Sequence, residues 1–118
     1  MKFELDGNEL RLLVAATPAQ RIQGLRGVDL SDCDGMAFVY ERPTYQPFTM
    51  EGMTDPLDIV FIDEAQGILE RAHLEPGMHY WPSKQFTVAI EMPCRSAQQC
   101  RAPVGLRWDD VDCREPTP

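Results

Sequence analysis

Residues 57–63, Leu-Asp-Ile-Val-Phe-Ile-Asp, constrain the fold of this chain more than any other segment. Pro56 disfavours helical geometry at the residue before it, so an extended segment can begin here. Alternate side chains of a strand point to opposite faces of the sheet, and this segment places apolar residues on both faces. Residues 57–63 therefore predict a strand that is buried on both sides.

The neighbouring segments predict more short strands. Asp6-Gly7 lies between two apolar alternating segments, which is a strong signal for a β-hairpin at the start of the chain. Residues 63–67 predict a second hairpin loop, from which residues 68–74 return antiparallel to residues 57–63. Residues 36–40 predict another strand, and residues 48–50 a shorter extended piece. Residues 86–92 alternate with a period of two, which predicts one face in the core.

One short helix is expected near residues 18–24. Thr17 is a favourable N-cap residue, Pro18 suits the first helical position, and Gly24 ends the helix. With about seven short strands, the fold class is mainly β (α+β), a small antiparallel barrel or sandwich. We expect a single globular β-rich domain over residues 1–114, including a last short strand drawn from residues 104–111, and a flexible tail over residues 115–118.

Charge and length limit the classes of function. The chain has 118 residues and a net charge of −8, and its arginines form no basic patch, so we expect no nucleic-acid ligand. No apolar run approaches the ~20 residues that cross a bilayer. The first seven residues contain acids where a signal peptide would be apolar. We therefore expect no membrane contact and a location in the cytoplasm or in a virion.

The carboxylates around the buried strand are weak candidates for catalysis. Asp58 and Asp63 would lie about 16 Å apart on opposite faces of a strand, too far for a pair that flanks one bond. Asp55 and Asp58 are closer, so a kinked segment could form an acid/base pair. The alternative is structural: Asp58 accepts backbone or arginine hydrogen bonds where the strand begins, and Asp63 shapes the hairpin turn.

No metal or cofactor site is predicted. His73 and His79 lack the spacing of a metal-binding pair, and no glycine-rich nucleotide motif occurs. Cys94 and Cys100 bracket a polar segment that a disulfide could close into a small loop. Without a signal peptide, free thiols are the default expectation.

Several apolar and aromatic residues flank the central strand in loops and are candidates for a binding surface, because methionine and aromatic side chains are enriched at interfaces. Equally, they could fill the open end of the barrel. The candidate binding set, with the acidic residues between them, is Met50, Glu51, Met53, Asp55, Met78, Tyr80 and Trp81.

A series of motifs resembles a known family. Gly35-Met36-Ala37-Phe38, Phe48-x-Met50, the Pro56 to Asp63 block, Tyr80-x-x-Ser83 and Ile90-Glu91 are similar, in order and spacing, to domain-of-unknown-function family 192 (DUF192). The resemblance covers roughly residues 12–112 and implies a small β-rich domain with a short helix, without an established activity. The family's F-W-M-x-N-T segment is altered here to Phe-Thr-Met-Glu-Gly-Met, so an aromatic residue and an amide-hydroxyl pair are missing.

These observations lead to three hypotheses. The first is a non-catalytic β-domain that binds a protein partner or packs into a homo- or hetero-assembly, for example as a capsid-decoration or other virion component. The second is a hydrolase or carbohydrate-processing enzyme that uses Asp55 and Asp58, with Trp81 as a stacking platform. The third is a domain that binds a small ligand without chemistry.

Overall fold

The computed structural model describes residues 1–28, 30 and 33–93. Eight strands and one helix lie within this part of the chain, which confirms the mainly β fold class. In chain order they are β1 (Lys2–Leu5), β2 (Asn8–Ala15), α1 (Pro18–Gln23), β3 (Gly35–Thr44), β4 (Phe48–Thr49), β5 (Leu57–Ile62), β6 (Ile68–Leu74), β7 (His79–Tyr80) and β8 (Phe86–Pro93).

Six of the strands form one sheet in the order β1-β2-β3-β8-β5-β6, and β4 pairs with β7 separately. The large sheet curls into a half-barrel, which is consistent with the predicted barrel or sandwich class. Its neighbouring strands are antiparallel with one exception, because β2 and β3 run parallel. A parallel pair needs a crossover connection, and the segment that contains α1 supplies it.

Both predicted hairpins are present. Asp6 and Gly7 have φ values of 50° and 84°, the left-handed geometry that a two-residue hairpin turn requires, and β1 pairs antiparallel with β2. In the second hairpin the Gly67 amide donates to Asp63 Oδ1 at 2.8 Å. Asp63 therefore shapes the β5–β6 turn, as the structural alternative predicted.

The helix begins and ends where the sequence predicts. Thr17 caps α1, Pro18 is its first residue, and Gly24 follows its end with a φ of 56°. The Gln20 amide donates to Thr17 Oγ1 at 3.2 Å, while Gln20 Oε1 accepts from the Thr17 amide at 3.1 Å. This capping box fixes the start of a helix that is too short to be stable by itself.

Strand β5 is buried along its whole length, which confirms the prediction for residues 57–63. Leu57, Ile59 and Phe61 belong to one core cluster. Val60 and Ile62 belong to a second cluster on the opposite face. The curled sheet thus has a hydrophobic core on each side of its central strands.

Strand β8 differs from its prediction, because both of its faces are buried over residues 89–92. It lies between β3 and β5 in the middle of the sheet, so Ala89 and Glu91 are covered together with Ile90 and Met92. Phe86 belongs to the same core cluster as Ala89, and the pairing of β8 with β3 has a register irregularity between Val39 and Thr44. The prediction of a single core face was wrong because alternation in the sequence does not report the position of a strand in the sheet.

Several expectations concern residues outside the described part of the chain. These are the Cys94–Cys100 disulfide, the last short strand, the end of the domain at residue 114 and the tail over residues 115–118. Cys33, which is described, is disulfide-bonded, contrary to the default expectation of a free thiol. The one helix of the described residues has six residues, and no helix there is long and apolar enough to cross a membrane.

Candidate functional site

A cavity of about 530 Å³ lies between one face of the large sheet and the wall formed by α1 and residues 44–53. We call it the helix pocket. Its lining residues come from α1 and the turn after it, from β3, from the segment through β4, and from single positions on β5 and β8. They are Pro18, Arg21, Ile22, Gly24, Leu25, Arg26, Phe38, Tyr40, Thr44, Gln46, Pro47, Phe48, Thr49, Met50, Met53, Leu57 and Glu91.

The walls of the helix pocket are mainly apolar and aromatic. Phe38 and Phe48 meet edge to face with ring centroids 5.4 Å apart. Phe48 also packs on Phe61 and Phe86 within the core, at 5.6 and 5.8 Å. Because these rings are held by the core, the pocket is largely preformed, as ligand pockets in proteins usually are.

Glu91 carries the one carboxyl group that lines the helix pocket. It lies on β8 between Met36 of β3 and Ile59 of β5, and it is 5% exposed. Among the described residues, no hydrogen-bond donor reaches its carboxyl group. Burial raises the pKa of Glu91 from 4.5 to about 7, and the positive charge of Arg26 opposes this shift.

Arg26 lines the pocket but has no donor left for Glu91. Its Nε and Nη2 donate to the carbonyl of Glu51 at 3.0 and 2.7 Å, and Nη2 also donates to the carbonyl of Thr49 at 3.3 Å. Its Nη1 donates to the carbonyls of Ile22 and Gln23 at 3.3 and 3.4 Å. All five guanidinium hydrogens are thus used to join the end of α1 to the segment after β4.

Arg21 and Tyr40 form the polar part of the pocket wall near α1. Arg21 Nη1 donates to the carbonyls of Ala16 and Val39 at 2.6 and 3.0 Å. The Arg21 guanidinium carbon lies 4.7 Å from the centroid of the Tyr40 ring, a cation–π arrangement. Burial raises the pKa of the Tyr40 phenol, while the charge of Arg21 lowers it and that of Glu91 raises it.

The structure divides the predicted binding set into separate groups. Met50 is 1% exposed and Met53 is half-buried, and both line the helix pocket. The Glu51 side chain is exposed, and only its carbonyl takes part, as an acceptor for Arg26. Asp55 is exposed and accepts from Thr54 Oγ1 at 3.5 Å.

Met78, Tyr80 and Trp81 lie around β7 and do not line the helix pocket. Tyr80 stacks on Phe61 at 5.7 Å and donates a short hydrogen bond to Glu70, so it is anchored in the structure. The sulfur of Met78 accepts from the Glu75 amide, and Met78 is 39% exposed. Trp81 is 67% exposed and stacks on the ring of His79.

Asp58 is buried and faces away from the pocket. Its Oδ1 lies 3.0 Å from Nδ1 of His73, which is its direct neighbour on β6, and His73 Nε2 lies 2.9 Å from Glu75 Oε1. The partner of Asp58 is therefore a histidine, whereas the structural alternative named backbone groups or an arginine. Burial raises the pKa of Asp58, and the hydrogen bond and charge of His73 oppose the shift.

Sequence reasoning missed the polar residues of the pocket, which are Glu91, Tyr40 and Arg21. Glu91 had a detectable signal, because it is the single charged residue in the strand of residues 86–92. Tyr40 and Arg21 had none, since a tyrosine at the end of an apolar segment and an arginine on a short helix are ordinary. Tyr40 and Arg21 become pocket residues only because α1 packs against the sheet.

Comparison with known proteins finds one matching family model. The model of the DUF192 family, described as an uncharacterized ACR, matches residues 1–109. No protein of curated function matches the sequence.

Two solved structures share the fold, each with a TM-score of 0.70. One is a protein of unknown function from Novosphingobium aromaticivorans, 22% identical, and the match covers 87% of this chain and 76% of that one. The other is a proposed transcription regulator from Sinorhizobium meliloti, 20% identical, with coverage of 85% and 78%. At these identities the similarity establishes the fold alone.

Proposed function

The chain belongs to the DUF192 family, and within that uncharacterised family we propose that it is a small-ligand-binding domain whose ligand occupies the helix pocket. The observation that supports this function is Glu91. Glu91 is 5% exposed and its carboxyl group has no hydrogen-bond donor among the described residues, which is costly in a folded protein. A ligand that supplies the missing partner would offset this cost.

The size and lining of the pocket support the same function. A volume of about 530 Å³ lies within the range of small-molecule sites. Such sites combine apolar walls with a few polar groups that orient the ligand. Phe38, Phe48 and Met50 supply the walls here, and Glu91 and Tyr40 supply the polar groups.

The test is a fragment screen monitored by NMR through the methyl groups of Met50 and Met53, with thermal unfolding as a second readout. We expect bound compounds to shift both methyl signals and to raise Tm. At a ligand concentration of a hundredfold Kd, the free energy of unfolding should increase by about 2.7 kcal/mol. Met53→Trp removes one reporter methyl group and should fill the half-buried wall of the pocket, so the shift of the Met50 methyl signal and the rise in Tm should both be lost. Ile68→Trp, at the exposed first position of β6 and outside the pocket, is the matched control and should leave the methyl shifts and the rise in Tm unchanged.

Two results would contradict the proposal. One is a library without any compound that shifts the Met50 and Met53 methyl signals. The other is a set of binders whose effects are the same in Met53→Trp and in the wild-type chain, because these ligands would then bind elsewhere.

Protein binding is the second candidate function, and the exposed apolar side chains near β7 favour it. Trp81 and Met78 are 67% and 39% exposed, and tryptophan is enriched in interface hot spots. Assembly into a virion is one form of this hypothesis and stays a prediction. The Asp55/Asp58 enzyme has less support, since the Asp58 carboxylate is buried against His73 and does not open into the helix pocket.

A further inference from the structure

Glu91 differs from the other buried acids of the described residues. Asp34 accepts the Arg11 amide at 2.7 Å, and Asp58 is bonded to His73 at 3.0 Å. Each therefore has one carboxylate oxygen held by a protein group, while the other oxygen of Asp58, Oδ2, is buried without a hydrogen bond among the described residues. Of these three acids only Glu91 lines the helix pocket, and no hydrogen bond from the described residues reaches its carboxyl group, so a ligand in the pocket is placed to supply one.

The nearest positive charge cannot serve as that partner. The five guanidinium hydrogens of Arg26 are all directed at backbone carbonyls, as described above. Its charge acts on Glu91 through space, but the direct ion pair that a buried carboxylate requires is not formed.

The remaining walls of the pocket favour a positive charge on the ligand. The aromatic rings of Phe38, Tyr40 and Phe48 line the pocket, and the faces of aromatic rings attract cations. The two positive charges of the lining, Arg21 and Arg26, are held by backbone carbonyls, and an anion would have to bind beside the Glu91 carboxyl group. The net charge of −8 also favours the approach of cations over anions.

We propose that the ligand of the helix pocket is an organic cation, a protonated amine on an apolar or aromatic body, with its ammonium group on the Glu91 carboxylate. This inference rests on the proposed ligand-binding function and adds the chemical class of the ligand. The ammonium supplies the donors that Glu91 lacks, and the apolar body fills the space between the sheet and α1. A hydrogen bond between two charged groups is about twice as strong as a neutral one.

Pairing of an ammonium group with Glu91 should also make ligand binding depend on pH. The pKa of Glu91 is about 7, so near that pH about half of the protein molecules carry the proton before a ligand binds. A bound ammonium favours the carboxylate, so binding releases this proton to solvent. The affinity for an amine should therefore rise between about pH 6 and pH 8, and the affinity for a neutral ligand should not.

The experiment compares three probes of the same shape, phenethylamine, phenethyl alcohol and hydrocinnamate, by NMR titration of the full chain at about pH 8. We expect phenethylamine to bind at least about tenfold more tightly than the other two. Glu91→Gln should reduce this preference to less than about threefold. Glu41→Gln removes the same charge at an exposed position of β3 outside the pocket, and should preserve the preference.

The outcomes separate the two proposals. If the alcohol or the carboxylate binds in the pocket as tightly as the amine, or if the preference survives Glu91→Gln, the cation inference is wrong while ligand binding stands. If none of the three probes binds but library fragments do, the charge of those fragments decides. Cationic fragments that no longer bind to Glu91→Gln support the inference, and neutral or anionic fragments overturn it. If nothing binds in the pocket, both proposals fail. If Glu91→Gln does not fold, the pH dependence of binding to the wild-type chain decides instead. An amine affinity that does not rise between about pH 6 and pH 8 would overturn the cation inference.

Discussion

At the scale of single residues, Glu91 is the unusual feature of this protein. Glu91 lies on β8, a central strand that is buried on both faces of the sheet over residues 89–92. Its carboxyl group lines the mainly apolar helix pocket. Burial without a hydrogen bond disfavours the charged form, which raises the pKa of Glu91 to about 7. The residue therefore lowers the stability of the folded protein when it ionises.

Glu91→Gln should change how stability depends on pH. A carboxyl with a raised pKa keeps its proton in the folded state after the unfolded state has lost it, so the wild-type chain loses stability from the ordinary value of 4.5 up to about 7. Glutamine does not ionise. The free energy of unfolding of the variant, relative to that of wild type, should therefore increase by about 3 kcal/mol from about pH 5 to pH 8.

Urea unfolding of both proteins at those two pH values checks this prediction. Glu41→Gln serves as the control, since its carboxylate is exposed and it should follow the wild-type curve. A difference between Glu91→Gln and wild type that stays constant with pH would show that the Glu91 carboxyl is solvated or paired.

At the scale of secondary-structure elements, the helix pocket depends on how α1 is attached to the sheet. The helix has no buried residue of its own, so packing alone does not hold it. Arg21, in its last turn, joins the helix to β3 through the carbonyl of Val39, and Arg26 joins its end to the segment after β4. The two arginines thus replace the hydrophobic contact that usually secures a surface helix.

Arg26→Lys should loosen this attachment. A lysine has a single ammonium group and cannot reach carbonyls on two elements with the planar fork of a guanidinium. We expect a loss of about 1 to 2 kcal/mol of stability and faster amide hydrogen exchange over residues 49–53. Arg42→Lys, at an exposed position of β3, should cause neither change. Equal effects of the two substitutions would mean that the Arg26 hydrogen bonds carry no net stability.

At the scale of the whole molecule, several groups act on stability in the same direction. Burial raises the pKa of Glu91 and of Asp58, and the hydrogen bonds to Glu75 and Asp58 raise the pKa of His73. The two acids destabilise the folded state as they ionise. The contribution of His73 is present while it is protonated and is lost as the pH rises through its folded pKa.

The folded protein should therefore be most stable at mildly acidic pH. Glu70 acts in the opposite sense, because its lowered pKa favours folding above the carboxyl range, but this contribution is lost only at lower pH. The midpoint of urea unfolding should fall steadily from about pH 5 to pH 8. His73→Gln should flatten the upper part of this decline. A midpoint that rises with pH would contradict the assigned pKa directions.

The sequence by itself determined the local structure, because the responsible forces act over a few residues. Asp6-Gly7 specifies a hairpin turn, Thr17 and Pro18 begin α1, and the apolar residues of 57–62 specify a strand buried on both faces. These features depend on backbone geometry, capping and hydrophobic burial, which are all written in adjacent residues.

Only the tertiary structure decided the order of the strands and, with it, the candidate site. Placing β8 between β3 and β5 buries Glu91, and the parallel pairing of β2 with β3 puts α1 over the same face of the sheet. The register of the β5–β6 hairpin, with its irregularity between Phe61 and Ile62, gives Asp58 a histidine partner on β6. A pocket is made by side chains distant in sequence, so its existence depends on long-range packing that no local pattern records.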